Sequence, residues 1–158
     1  MERGPTEPVH YLLLHRQKID DAAGGGEPGR LCLRVDLAAR LRQRQIERIA
    51  LGGQLGLRGL KCSPIYQNWD PQDPRHLPLF KKAESLGIPV NIHQGTSFVR
   101  PGPLKYANPI QLEDIAVACP DLRIVIAHMG HPWEDECVVL IRKHPNLCSN
   151  ISALHYRP

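Results

Sequence analysis

Two short apolar runs in the chain stop in the same way. Ile88-Pro89-Val90-Asn91-Ile92 runs into His93-Gln94-Gly95, and Arg123-Ile124-Val125-Ile126-Ala127 runs into His128-Met129-Gly130. A neutral imidazole ligates zinc or manganese well, and a second one nearby can accept or donate a proton near neutral pH. A β-branched run ending in His-x-Gly reads as a buried parallel strand with an imidazole at its carboxyl end. The glycine then lets the backbone turn sharply into a loop. Ligands and chemistry gather at the carboxyl ends of such strands. Two core histidines satisfied by backbone groups would be the plain alternative, but their shared placement before glycine favours a metal or proton-transfer site.

Other side chains would share that rim. Lys61 closes the run Leu57-Arg58-Gly59-Leu60-Lys61-Cys62, where it would either hold a substrate carboxylate or escape to solvent. Two long connections follow strand ends. One carries Tyr66 and Trp69, the other Phe98, Arg100, Lys105 and Tyr106, so a pocket with aromatic and cationic walls is expected from Tyr66, Trp69 and Arg100. His131 and His144 read as helix-end residues, and His155 as a residue past the last strand. Cys62 and Cys148 read as small buried strand residues.

These residues need a rhythm of strands and helices to carry them. Strand starts fall near 58, 88, 123 and 147, the spacing of βα units. Between them, Leu77, Phe80, Ala83 and Leu86 line a helix that Gly87 stops. Asn108 with Pro109 and Gln111 reads as a capping box. Pro132 opens a helix with Glu134, Asp135 and Glu136 in its first turn and Arg142 and Lys143 in its last. Upstream, Leu37, Leu41, Ile46, Ile49 and Ala50 mark a helical stripe after Asp36 as N-cap. Residues 1–35, with the turn-rich Gly24-Gly25-Gly26-Glu27-Pro28-Gly29, read as a weakly ordered leader carrying at most a short strand or helix at 9–16.

Composition narrows the classes. A chain of 158 residues makes one ordinary domain, and with only 5% aromatic residues its core must be aliphatic. The net charge of +4 comes largely from an Arg-rich stretch at 30–48 that lacks interleaved aromatics, so a solvated helix face is expected and no nucleic-acid partner. Five cysteines, an odd number without a C-x-x-C pair, fit a reducing cytoplasm. No apolar run approaches the roughly 20 residues of a membrane span, so no membrane partner is expected.

Four stretches taken together resemble a family. They are Gly59-Leu60-Lys61-x-Ser63-Pro64, Gly87-Ile88-Pro89-Val90-x-Ile92-His93-x-Gly95, Pro120-Asp121-Leu122-x-Ile124-Val125-x-Ala127-His128-Met129-Gly130-x-Pro132-Trp133, and His144-Pro145-Asn146-Leu147-x-x-x-Ile151-Ser152. In order and spacing they resemble the amidohydrolase-related metal-dependent hydrolases, in the branch of the aminocarboxymuconate-semialdehyde decarboxylase-like enzymes. The resemblance covers residues 54–158. It implies an α/β fold, a partial (β/α)8 TIM barrel of four βα units over 36–158 behind the poorly matching leader. It further implies a divalent metal, zinc or manganese, with His93 as a metal ligand and His128 as the histidine that assists metal-bound water or handles substrate protons. The implied reaction is hydrolysis or non-oxidative decarboxylation (a carboxy-lyase step) of a small carboxylated compound.

The sequence also departs from that family. The family pattern opens on a strand carrying His-x-His and ends with a strand-end aspartate ligand, whereas this sequence has no His-x-His and no counterpart of that aspartate before Pro158. A closed barrel of this type takes about 250 residues. A catalytic zinc takes about three protein ligands, so the isolated chain is expected to hold metal weakly or not at all and to be inactive. A non-catalytic binding or structural module derived from a truncated barrel is the alternative. Open sheet edges make self-association an expectation too.

Overall fold

The computed structural model describes residues 32–34, 46, 49–50, 54, 56 and 58–154. The expected leader up to residue 31, the N-cap at Asp36, the first part of the helical stripe, most of the Arg-rich stretch and His155 lie outside them.

Five strands form one sheet: β1 (Cys32–Arg34), β2 (Gly59–Cys62), β3 (Val90–His93), β4 (Ile124–Ala127) and β5 (Leu147–Ser149). They lie in chain order and every neighbouring pair is parallel. The α/β expectation is met, with one addition. The sheet has five strands where the sequence rhythm suggests four, because β1 falls inside the segment read as leader. Its three residues pair Cys32 with Gly59 and Arg34 with Lys61.

Alternation along the strands sets the two faces of the sheet. Leu60, Cys62, Val90, Ile92, Ile124 and Ile126 are at most 1% exposed and join one core with Phe80, Ala83, Ile115, Cys137 and Leu140 from the helices. Lys61, Asn91 and Val125 point the other way and are only partly buried. Cys148 is a correction: the sequence suggested a buried strand cysteine, but it alternates onto the more open side and is exposed.

Three longer helical segments cover the core face. Helix Leu77–Ser85 buries Leu79, Phe80 and Ala83, and ends where Gly87 takes a φ of 63°. Asn108 does cap the next segment, accepting from the Ile110 N–H at 2.9 Å. The capping box is only half made, because the Gln111 amide donates to the Lys105 carbonyl at 2.7 Å instead. That segment is a tight turn, Pro109–Leu112, which runs on into helix Glu113–Ala118. The Asn146 amide donates to the carbonyls of Ala116 and Cys119 at 3.1 and 2.9 Å, satisfying groups that a helix end leaves open. The last helix starts at Glu134 and not at Pro132, and runs to Lys143. Its acidic first turn and basic last turn suit the helix dipole. Among the described residues, no helix is long and apolar enough to cross a membrane.

Candidate functional site

Adjacent strands bring the two histidines together. His93 is the last residue of β3, and His128 follows the last residue of β4, with His93 and Ala127 in register. His93 Nδ1 and His128 Nε2 stand 3.1 Å apart. The rings meet edge to face, with centroids 4.7 Å apart at 70°. His93 is nearly buried, at 9% exposure, while His128 is partly open. Tyr66, from the short helix Pro64–Gln67 that follows β2, tilts against His93 with ring centroids 4.8 Å apart.

His128 stands on unusual backbone. It opens a left-handed turn in which His128, Met129 and Gly130 have φ of 63°, 51° and 65°. Non-glycine residues in that region cost on the order of 1–2 kcal/mol each. The turn is held from the segment after β5. The Asn150 side-chain oxygen accepts the His128 N–H at 3.2 Å, and the Asn150 carbonyl accepts the Met129 N–H at 2.9 Å. Asn150 itself is tied to β4 through its N–H and the Ile126 carbonyl, at 3.1 Å. On the ring, His128 Nδ1 lies 2.7 Å from the Ser152 carbonyl oxygen and 3.0 Å from the Ser152 hydroxyl.

The other expected site residues divide. Lys61 is not at the rim. Because Cys62 pairs with Ile92, His93 lies one residue beyond the end of β2, and Lys61 sits a layer deeper. There it is in register with Asn91 and donates to its Oδ1 at 2.7 Å, on the face shared with His93. Tyr66 reaches the imidazole pair. Trp69 is 3% exposed and belongs to the core, with His76 against it at 4.9 Å between centroids and Phe80 at 6.2 Å. Arg100 is exposed on the loop 94–107. That loop is anchored by the fully buried Gln94. With its amide nitrogen turned inward, Gln94 donates to the carbonyls of Ala107 and Tyr106 at 2.8 and 3.0 Å. His131 pairs with the Glu134 carboxylate at the start of its helix. His144 bonds Glu113 at 3.0 Å, and Lys143 bonds the same carboxylate at 2.6 Å. These contacts, with the side-chain bond from Lys143 first, hold the Glu113 carboxyl below its ordinary range.

Asn150 and Gln94 are the site residues that sequence reading missed. The signal for Asn150 is its Asn-x-Ser spacing directly after a strand, the pattern of a side chain that bonds backbone two residues on. Gln94 has no comparable signal, being one polar residue between His93 and Gly95.

The comparisons agree with this architecture. A model of the amidohydrolase family, described simply as amidohydrolase, matches residues 22–157. The chain belongs to that family. Among solved structures, an uncharacterised TIM-barrel protein of Bordetella bronchiseptica is similar over 80% of this chain, at 25% identity and a TM-score of 0.70. The sheet and its helices are part of a (β/α)8 barrel, and the chain spans 44% of that neighbour's length. A comparison with curated proteins finds no match.

Amidohydrolases generally use divalent metals. Among the described residues, no group of three or more His, Cys, Asp or Glu could hold such an ion. His93 and His128 are two imidazoles in contact with each other, whereas a catalytic zinc takes about three protein ligands. The described donors therefore do not fit a resident catalytic ion.

Proposed function

We propose that the chain is the proton-handling part of a metal-dependent hydrolase or non-oxidative decarboxylase site for a small carboxylated compound, on the aminocarboxymuconate-semialdehyde decarboxylase-like pattern. The observation that carries the reading is the 3.1 Å contact between His93 and His128 at the ends of adjacent strands. In this reading His128 exchanges a substrate proton through the ring nitrogen that faces His93. His93 is the imidazole that the family pattern turns toward zinc or manganese. Tyr66 flanks the substrate, and Lys61 and Arg100 supply positive charge for its carboxylate. Trp69, packed in the core against His76 and Phe80, takes no part in substrate contact in this reading. A reducing cytoplasmic setting suits the free cysteines.

With two described imidazoles in contact with each other, a divalent ion would be held weakly at most. The purified 158-residue chain is therefore inactive in this reading. Titration with Zn2+ and Mn2+, followed by histidine NMR, tests it. The expected result is weak binding that perturbs His93 and His128, with no turnover of carboxylated test compounds. Metal that perturbs neither ring would overturn the site assignment, and tight stoichiometric binding with turnover would overturn the inactivity.

The lack of a third donor among the described residues favours a second reading, a non-catalytic module built on barrel architecture. In that case the His93–His128 contact is structural. Replacing both residues by alanine would then change stability and leave metal binding unaltered. Self-association through β1 and β5, the outer strands of the described sheet, belongs to either reading. Concentration-dependent elution in gel filtration checks it.

A further inference from the structure

The loop 94–107 carries apolar and cationic side chains into solvent. Phe98 is 89% exposed, Val99 48% and Leu104 49%. Arg100 and Lys105 stand among them, also exposed, and no acidic residue occurs between Glu84 and Glu113. The loop is braced in this form. Its ends are joined by the Gly95 N–H and the Ala107 carbonyl at 2.8 Å, and its turn by the Gly102 N–H and the Val99 carbonyl at 2.9 Å. Gly102 lies so close to Ile65 that a β-carbon on it would stand 2.6 Å from that side chain. A braced apolar surface has little freedom left to lose on binding.

The same chain carries a surface of complementary charge. Helix Glu134–Lys143 buries Cys137 and Leu140 and turns Asp135, Val138 and Val139 outward. Those three share one helix face, at spacings of three and four. Val138 and Val139 are 41% and 59% exposed. Among the described residues, neither Arg100 nor Asp135 has an ionic partner. Both surfaces are open in a single copy, so neither covers the other. They lie on one rim: the loop leaves the carboxyl end of β3, the helix follows the carboxyl end of β4, and the Thr96 N–H joins the His131 carbonyl between them.

We propose that two copies of this chain form a two-fold dimer in which the loop 94–107 of each docks on helix Glu134–Lys143 of the other. Phe98, Val99 and Leu104 cover Val138 and Val139 of the second copy, and Arg100 pairs with its Asp135. The spacings match. Phe98 and Arg100 span at most about 7 Å, and Asp135 and Val139 are one helical turn apart, about 6 Å. Because the two surfaces differ but share a rim, a two-fold axis makes the contact twice and closes the assembly. An anionic lipid surface would answer the loop alone, whereas a second copy answers loop and helix together. The contact uses neither outer strand of the sheet and is independent of the roles given to His93 and His128.

Sedimentation velocity on the 158-residue chain tests the dimer. The wild type is expected to shift from monomer to dimer with concentration. Phe98→Ser and Val139→Ser, one on each surface, should each weaken the dimer by about tenfold or more. Arg100→Glu and Asp135→Lys should each weaken it by about tenfold, because both contacts then join like charges. An equimolar mixture of those two variants should dimerise again, since each contact in the mixed dimer joins opposite charges. All four positions are exposed, so circular dichroism should show each variant folded as the wild type is. A wild type that stays monomeric to about 1 mM overturns the proposal. So does a dimer indifferent to all four substitutions, which would place the contact at the outer strands, and so does a mixture that fails to recover. A monomer that instead binds phosphatidylserine vesicles through Phe98 and Arg100 overturns the choice of occupant.

Discussion

Gly95 lies so close to His131 that a β-carbon on it would stand 2.6 Å from the His131 carbonyl oxygen and 2.9 Å from its nitrogen. The same carbonyl accepts the Thr96 N–H at 2.6 Å. The loops that follow His93 and His128 are thus clasped backbone to backbone, two residues beyond one histidine and three beyond the other. Gly95 also has a φ of 98°, which side chains rarely adopt. Gly95→Ala is expected to cost about 2–4 kcal/mol from backbone strain and overlap together. It should also part the two imidazoles. Urea denaturation reads the first effect, and loss of the His93–His128 nuclear Overhauser contact reads the second.

Gln94 is the second clasp on that loop. Its amide reaches the carbonyls of Tyr106 and Ala107 from a fully buried position. Gln94→Leu fills similar space but cannot donate, so stability should fall by about 1–3 kcal/mol. Faster amide exchange concentrated in residues 95–107 is the expected signature. A uniform change across the sheet would count against a local anchor.

Asp73 gives the fold an acid-sensitive element. Bonds from the Arg75 side chain, at 2.7 and 2.8 Å, hold its carboxyl down to about 2 from an ordinary 3.8. A depressed folded-state value contributes stability that is present above the ordinary value and lost as pH falls through about 2. Because the Arg75 side chain is 65% exposed, the contribution should be about 1 kcal/mol or less and should shrink with salt. Asp73→Asn can keep the oxygen that accepts the Arg75 N–H at 2.9 Å. The gap in urea midpoint between wild type and this variant should therefore close as pH is lowered from above 4 toward 2.

Cys148 should be the thiol that reagents find first. Cys62, Cys119 and Cys137 are buried, and Cys148 alone is exposed among the four cysteines whose side chains are described. Partial desolvation still pushes its thiol up, with Arg123 pulling back weakly. The thiolate is the reactive species, so alkylation at neutral pH should be slower than that of a free thiol and should accelerate through and above the ordinary thiol range. Peptide mapping after brief iodoacetamide treatment checks both the site and the pH trend.

What the sequence made legible follows from which forces act locally. The runs ending at His93 and His128 are continuous, β-branched and flanked by glycine, so strand, register end and imidazole position could all be read from neighbours in the chain. The strand Cys32–Arg34 could not. It is three residues long, close to a glycine run, and its existence depends on pairing with β2. The depth of Lys61 was hidden for a related reason, since only the register of Cys62 with Ile92 shows that β2 stops a residue short of His93. Trp69 shows the limit of composition: an aromatic in a long connection looks like pocket lining until tertiary packing buries it against Phe80. Asn150 was obscure because its role is long-range, reaching back 22 residues to the His128 backbone.

The chain order of the strands has a further outcome. β3 and β4 each have a neighbour on both sides, while β1 and β5 form the margins of the described sheet. Fraying therefore begins at the margins, away from His93. The imidazole pair is insulated on the β1 side by the whole of β2. On the β5 side, Asn150 and Ser152, directly after that strand, brace His128, so loosening of that margin reaches His128 before it reaches His93.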